Sequence, residues 1–223
     1  MTSLQKWGKS VRTTIPVMAG YLVLGAGFGI LLRTRGYGLG WALAMSAFIY
    51  AGSMQYVAID LLTGGASLLT TAVTTLLVNA RHLFYGISML ERYRAAGRYA
   101  PYLIFSLTDE TYSLVAARED LTGAECFRIS LLDQLYWVLG TALGSLAGAY
   151  LDFNTTGIDF SLTALFLTVF TEQWLETKDH APALIGLGVS IVCRLLFGAD
   201  SFLLPTMGGM LCCLLVLDAR RTK

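Results

Sequence analysis

A chain of 223 residues that is 55% hydrophobic and 14% charged, with a net charge of +1, does not have the composition of a soluble domain, in which about a quarter of residues are charged. Its mean hydropathy of +0.61 points to lipid, and the near balance of charge excludes the broad basic footprint by which proteins hold nucleic acid. The four cysteines, Cys126, Cys193, Cys212 and Cys213, lack a paired metal spacing and read as small buried hydrophobes, so neither a metal nor a cofactor is called for.

A helix needs roughly 20 mostly apolar residues to cross the hydrocarbon core. In chain order, stretches 15–32, 41–63, 66–89, 101–117, 131–151, 160–175, 181–198 and 202–217 come near that length. They predict an all-α polytopic integral membrane protein of about six to eight segments, with residues 1–223 as a single transmembrane domain. Pro16, Pro101, Pro182 and Pro205 fall at or near the starts of these runs, where a helix tolerates the missing N–H. The first run is too long for a signal core, and Arg33 and Arg35 follow it instead of a cleavage site, so it is expected to stay attached as a helix. Gly25 and Gly29, and then Gly140, Gly144 and Gly148, put small residues four apart, the spacing that lets helices approach closely in lipid.

Lys6, Lys9 and Arg12 place the amino terminus in the cytoplasm, and Arg92, Arg94 and Arg98 place the loop after the third stretch there too. Three full crossings would leave that loop outside, so one of the first three stretches is expected not to cross. The second is the candidate, because its middle, Tyr50-Ala-Gly-Ser-Met-Gln-Tyr56, is small and polar and suits a bend. A weak internal repeat matches Val23-Leu-Gly25 and Gly29 to Val138-Leu-Gly140 and Gly144, and Arg81 and Phe84 to Arg194 and Phe197, giving units of about 12–92 and 128–200. Units that each hold a re-entrant hairpin would be related by inversion; eight complete spans would make two parallel halves. The inverted repeat with broken or re-entrant helices is the arrangement expected here, and the eight-span arrangement is its rival.

The polar residues at membrane depth carry the chemistry. Thr75, Asn79, His82 and Gly86 would share one face of a continuous third helix, with Arg81 and Tyr85 beside them. Asp109 and Glu110 lie halfway along the fourth stretch. A charge at the bilayer centre costs about 2.5–3.5 kcal/mol, so partners are expected: Arg81 with Asp109 or Glu110. The spare acid and His82 would then serve either packing or proton exchange. Gln55, with Ser53, is a second candidate for holding a polar solute at the bend; Glu172-Gln173-Trp174 would be its counterpart, and Arg194 that of Arg81. Ser53 and His82 could form the dyad of an intramembrane serine protease, but Gly52-Ser53-Met54 lacks the glycine such a site expects, and no nucleotide-binding G-x-x-x-x-G-K-[ST] is present. A gradient-driven transporter is favoured over an enzyme; a channel or a carrier of another small polar solute is the alternative.

Ala51-Gly-Ser-Met-Gln-Tyr56, Asn79-Ala-Arg-His-Leu-Phe-Tyr-Gly86 and Leu107-Thr-Asp-Glu-Thr-Tyr112 resemble motifs of the AzlC family, the large subunits of bacterial branched-chain amino acid exporters. The likeness runs through most of residues 12–200 and departs from the family's usual residues at Met54 and Phe84, which are expected to bear on substrate range. It implies export of valine, leucine, isoleucine or sometimes methionine across the bacterial cytoplasmic membrane, with a small hydrophobic AzlD-type subunit and a coupling proton. The glycine-rich faces suit that partner or a homo-oligomer equally. In this setting Arg81 would meet the substrate carboxylate and Asp109 or Glu110 its ammonium group. Gln55, Asn79 and His82 would assist in binding or coupling, while Ser53, Tyr56, Phe84 and Tyr112 would line the pocket.

Overall fold

The computed structural model describes residues 3–118, 120–150, 160, 163–164, 167, 170–171, 174–175 and 177–221, which fall into two compact units divided after Leu162. Among the described residues all regular structure is helical. In chain order the first unit holds α1 (Ser3–Thr34), α2 (Leu39–Ala44, continued by a π-helical turn, Met45–Ile49), α3 (Gly52–Thr63), α4 (Leu68–Val78), α5 (Arg81–Ala95), α6 (Ala100–Phe105), α7 (Asp109–Ala116) and α8 (Gly123–Tyr150). The second holds α9 (Ala181–Ser201) and α10 (Leu203–Arg221).

Two long helices, α1 and α8, form the spine of the first unit, and their glycines let them touch backbone to backbone. A Cβ on Gly25 would come 2.9 Å from the Trp137 carbonyl oxygen, and one on Gly140 2.8 Å from that of Leu22. One on Gly29 would overlap the Thr141 carbonyl, and one on Gly144 the Ala26 carbonyl. Leu22 lies against Gly140, Ala26 against Gly144 and Ile30 against Gly148, so the two helices run in the same direction. Helices related by inversion run antiparallel. The glycine-motif helices are therefore not inverted mates, which corrects one of the two arrangements expected above.

Two hairpins enter this spine from opposite ends. α2 begins beside the C-terminal end of α1, with Gly38 next to the Arg33 side chain, and descends until the Gln134 amide donates to the Ala47 carbonyl at 3.0 Å. The chain turns at Tyr50, whose φ of 44° and ψ of 47° are left-handed and strained for so bulky a residue. α3 then climbs back: Gly52 lies against the Trp137 ring, and Tyr56 packs on Phe28 and donates to the Leu24 carbonyl at 2.7 Å. From the other end, Tyr99 and Tyr102 each lie 5.1 Å from the Phe127 ring, and the Tyr102 hydroxyl donates to Gln134 at 2.7 Å. After the break at Ser106–Thr108, α7 returns past Asp133, and Val115 joins Cys126 and Ile129 in a buried cluster. Arg92, in the last turn of α5, clamps the return by donating to the carbonyls of Val115 and Arg118. The two tips face each other midway along the spine, with the Tyr50 and Phe105 rings 6.4 Å apart.

The bend expected within Tyr50–Tyr56 is thus found at Tyr50 and Ala51. The single helices expected over 66–89 and 101–117 are each two, broken at Asn79–Ala80 and at Ser106–Thr108. Leu68, Leu76, Leu83 and Ile87 stand largely exposed on α4 and α5, an apolar face that suits lipid and that soluble monomers avoid. Segments Leu4–Thr34 and Ala181–Gly198 are long and apolar enough to cross a membrane by length and composition.

In the second unit α9 and α10 pack as an antiparallel pair, Gly186 facing Met210 and Val189 facing Gly209. Gly198, at φ 75°, breaks α9, and the Arg194 guanidinium lies 5.3 Å over the Phe202 ring. Cys126 and Cys193 are buried as expected, but Cys212 and Cys213 are exposed. Glu172 and Gln173 lie outside the described residues, as does half of the stretch 160–175.

Candidate functional site

Three helix breaks among the described residues of the first unit deliver helix starts to one place. Ser53 lies in the first turn of α3, Arg81 opens α5, and Asp109 and Glu110 open α7 behind Thr108, whose hydroxyl caps the helix by accepting from the Thr111 N–H at 3.3 Å. Carboxylates in a first turn are favoured by the positive end of the helix dipole. Arg81 Nη2 donates to Ser53 Oγ at 3.0 Å, and Arg81 Nε lies 3.2 Å from Asp109 Oδ1. That N–H is not aimed at the oxygen, so the contact is an ion pair rather than an aligned hydrogen bond. The side chains are 34% and 33% exposed although Nε and Oδ1 themselves are enclosed, so a small solute can reach the rest of each group. Of the two acids open as partners for Arg81, the structure joins Asp109; Glu110 instead accepts from the Tyr21 hydroxyl at 2.7 Å.

Behind the pair stands a closed layer. Gln55 is fully buried; its Nε2 donates to Ser46 Oγ at 3.1 Å and its Oε1 accepts from Trp137 Nε1 at 2.9 Å. Ser46 donates onward to Thr141 at 2.9 Å. The amide therefore pins the first hairpin tip to α8.

The other expected residues divide. Tyr85 is within electrostatic reach of Arg81, Asp109 and Glu110 and stacks on Tyr112 at 4.6 Å, so Tyr112 edges the same place. Asn79 ends α4, and its carbonyl faces both the His82 N–H at 2.9 Å and His82 Nδ1 at 3.1 Å. Ser53 and His82 thus have separate partners and do not form a dyad. Tyr56 is buried in the core with its hydroxyl on α1, and Phe84 is 68% exposed, so neither is brought to the Arg81–Asp109 pair.

A separate cavity of about 910 Å³ opens at the charged end of α1, lined by Lys9, Arg12, Thr13, Arg118 and Asp120 among others. Beside it Thr122 and Glu125 cap the start of α8 reciprocally. The Thr122 N–H and hydroxyl donate to Glu125 Oε2 at 3.0 and 2.8 Å and hold that carboxyl below its ordinary range, with Lys9 at 3.8 Å adding to the effect.

The model of the AzlC protein family matches residues 16–151, a span that contains every element of this site. The chain belongs to the AzlC family. It is 46% identical over 209 residues to the branched-chain amino acid transport protein AzlC of Bacillus subtilis, covering 92% of this chain and 82% of that one. It is 42% identical over 207 residues to an uncharacterized membrane protein of Helicobacter pylori, 91% of each chain. The inner membrane protein YgaZ of Escherichia coli is 26% identical over 222 residues, 92% of this chain and 87% of that one. No solved structure matches.

Four residues of this AzlC-family site have no counterpart among those expected from sequence: Tyr21, Thr108, Thr111 and Asp133. Asp133 is fully buried on α8, with Oδ2 accepting from the Thr111 hydroxyl at 2.9 Å and Oδ1 without a hydrogen-bond partner. The signal for it was present, since Ser130, Asp133, Trp137, Thr141 and Ser145 recur at helical spacing and all five are buried.

Proposed function

We propose that this AzlC-family chain is a secondary transporter that exports branched-chain amino acids, and sometimes methionine, across the bacterial cytoplasmic membrane together with a small hydrophobic AzlD-type subunit. The observation that carries this function is the Arg81–Asp109 pair, 3.2 Å apart and one-third exposed where three helix breaks meet. A zwitterionic amino acid presents one carboxylate and one ammonium group. It can trade places with the internal pair, its carboxylate on Arg81 and its ammonium on Asp109, so that neither protein charge is left bare at either stage. Broken helices at mid-depth are a common way for transporters to supply such a site.

In the topology proposed here α1 crosses outward from the cytoplasm, α2–α3 dips back from the far side, and α4–α5 crosses inward. α6–α7 then dips from the cytoplasmic side and α8 crosses outward. Lys9, Arg12, Arg92, Arg98 and Arg118 all come to the cytoplasmic side, as the positive-inside rule asks. The matching glycine motifs of α1 and α8 support a duplication with units of about 12–92 and 128–200, whose first helices keep one direction.

Export from dipeptide-fed cells, with the small subunit co-expressed, tests the site. Arg81→Gln and Asp109→Asn are each expected to lower export of leucine at least about tenfold at unchanged protein level, a loss of one charge-assisted contact. Wild-type export by Arg81→Gln would remove the site from consideration.

A further inference from the structure

Five oxygen-bearing side chains on α1, α7, its cap and α8 form an unbroken line. Glu110 Oε2 lies 2.7 Å from the Tyr21 hydroxyl, which lies 2.7 Å from Thr108 Oγ1. Thr108 Oγ1 lies 3.1 Å from Thr111 Oγ1, which lies 2.9 Å from Asp133 Oδ2. Four contacts thus join two carboxyl groups through three hydroxyls, and each hydroxyl brings one hydrogen. With both carboxylates ionised, the line is one hydrogen short, and some pair of oxygens faces lone pair to lone pair at hydrogen-bond distance. One proton added to either carboxyl fills every contact. Held on Glu110, it makes the donors run Glu110 to Tyr21 to Thr108 to Thr111 to Asp133; held on Asp133, they run the opposite way.

We propose that Glu110 and Asp133 share a single proton and that the hydroxyls of Tyr21, Thr108 and Thr111 relay it between them. In the transfer the Glu110 O–H bond breaks as its proton passes to Tyr21, each hydroxyl hands its own proton to the next, and a new O–H bond forms on Asp133 Oδ2. The negative charge moves from Asp133 to Glu110, and the pair as a whole gains or loses nothing. The two ends differ in access: Glu110 is partly exposed beside the Arg81–Asp109 pair, whereas Asp133 is sealed. Among the described residues neither acid has a cation within ion-pair distance. The groups facing the line are Tyr50 at the first hairpin tip, Tyr85 on α5, Tyr102 on α6 and Asp109 on α7, the last already held by Arg81. A buried carboxylate with a single donor and no cation is costly, which favours a proton that can be shared. Its use in coupling rests on the transport function proposed above, but its existence does not.

Infrared spectroscopy of the purified protein in lipid vesicles, with no substrate present, reads the proton directly from carboxylic acid C=O bands. The Glu110 band, identified by its loss in Glu110→Gln, should titrate at lower pH by about one unit or more when Asp133 becomes Asn, the size of a coupled pair. The same Asp133→Asn change made in a Thr111→Val background should shift it much less, because the line is cut, whereas a Thr111→Ser background should keep the full shift. No shift in the first comparison overturns the proposal, and so does an equal shift with valine at 111, which leaves only charge acting through space. If Asp133→Asn fails to fold, Thr111→Val and Thr111→Ser are compared directly: separate titration of the two acids with valine and joint titration with serine support the relay, and identical titrations overturn it. Export failing in Arg81→Gln bears on the transport function alone and leaves these outcomes unchanged.

Discussion

At the scale of single residues, burial separates two kinds of polar group that look alike in a list. Arg81 and Asp109 are each about one-third exposed, although the two atoms that meet are enclosed, so water reaches the rest of each side chain and the pair is expected to contribute only about 1 kcal/mol to stability. Gln55 is the reverse: it is fully enclosed and holds both the Trp137 N–H and the Ser46 hydroxyl. Gln55→Leu fills the same space but strands the Trp137 donor, at about 1–3 kcal/mol for each buried group left unpaired. Folded Gln55→Leu protein is therefore expected to drop sharply in fluorescence-detected gel filtration and to unfold at lower temperature, with export per folded molecule less affected. Equal folded yield with lost export would instead make Gln55 a ligand-binding residue.

At the scale of elements, close backbone contact between α1 and α8 makes glycine a requirement at some positions and an accident at others. A methyl group on Gly144 would enter the Ala26 carbonyl, which is backbone and cannot swing away, whereas one on Gly20 meets nothing within 4 Å. Gly144→Ala is expected to cost on the order of 1–3 kcal/mol or to prevent folding, and Gly20→Ala to be neutral or slightly stabilising, measured by thermal unfolding in detergent. The glycine spacing announced that some helices would touch but not which ones, since Gly29 and Gly144 are far apart in sequence and only the folded chain pairs them. The breaks were unevenly legible for a similar reason. The bend at Tyr50 is written in small and polar neighbours, but no proline or glycine marks Asn79–Ala80 or Ser106–Thr108. There, a capping carbonyl at Asn79 and the hydroxyl of Thr108 replace helix bonds with local ones, which periodicity does not register. Arg81 and Asp109 were legible because a charge inside an otherwise apolar stretch needs a reason to be there. Asp133 was passed over because it follows Leu131 and Leu132 at the start of an apolar run, where an acid looks interfacial.

At the scale of the whole molecule, the two hairpins decide on which side each loop lies. If both α2–α3 and α6–α7 dip and return, the loop at Ser67 and the basic loop at Arg98 lie on opposite sides of the membrane. If α2–α3 crossed fully, both would change sides, with Ser67 inside and Arg98 outside, against the charge rule. Arg92 ties the C-terminal end of α7 to the last turn of α5 through the Val115 and Arg118 carbonyls, so α6–α7 returns to the end of the spine from which it set out. Contacts between Lys9 and Glu125 and between Arg118 and Thr13 bring the start of α8 and the end of α7 to the start of α1. Single cysteines at positions 9, 67 and 98, placed in a chain whose own four cysteines are replaced, report the sides through a membrane-impermeant maleimide. The expected outcome is labelling of 67 only from outside intact cells, and of 9 and 98 only in inverted vesicles. Labelling of 98 from outside would break the topology at α2–α3 and separate the basic residues that α5, α7 and the spine hold together, so this one experiment weighs the hairpin geometry and the orientation at once.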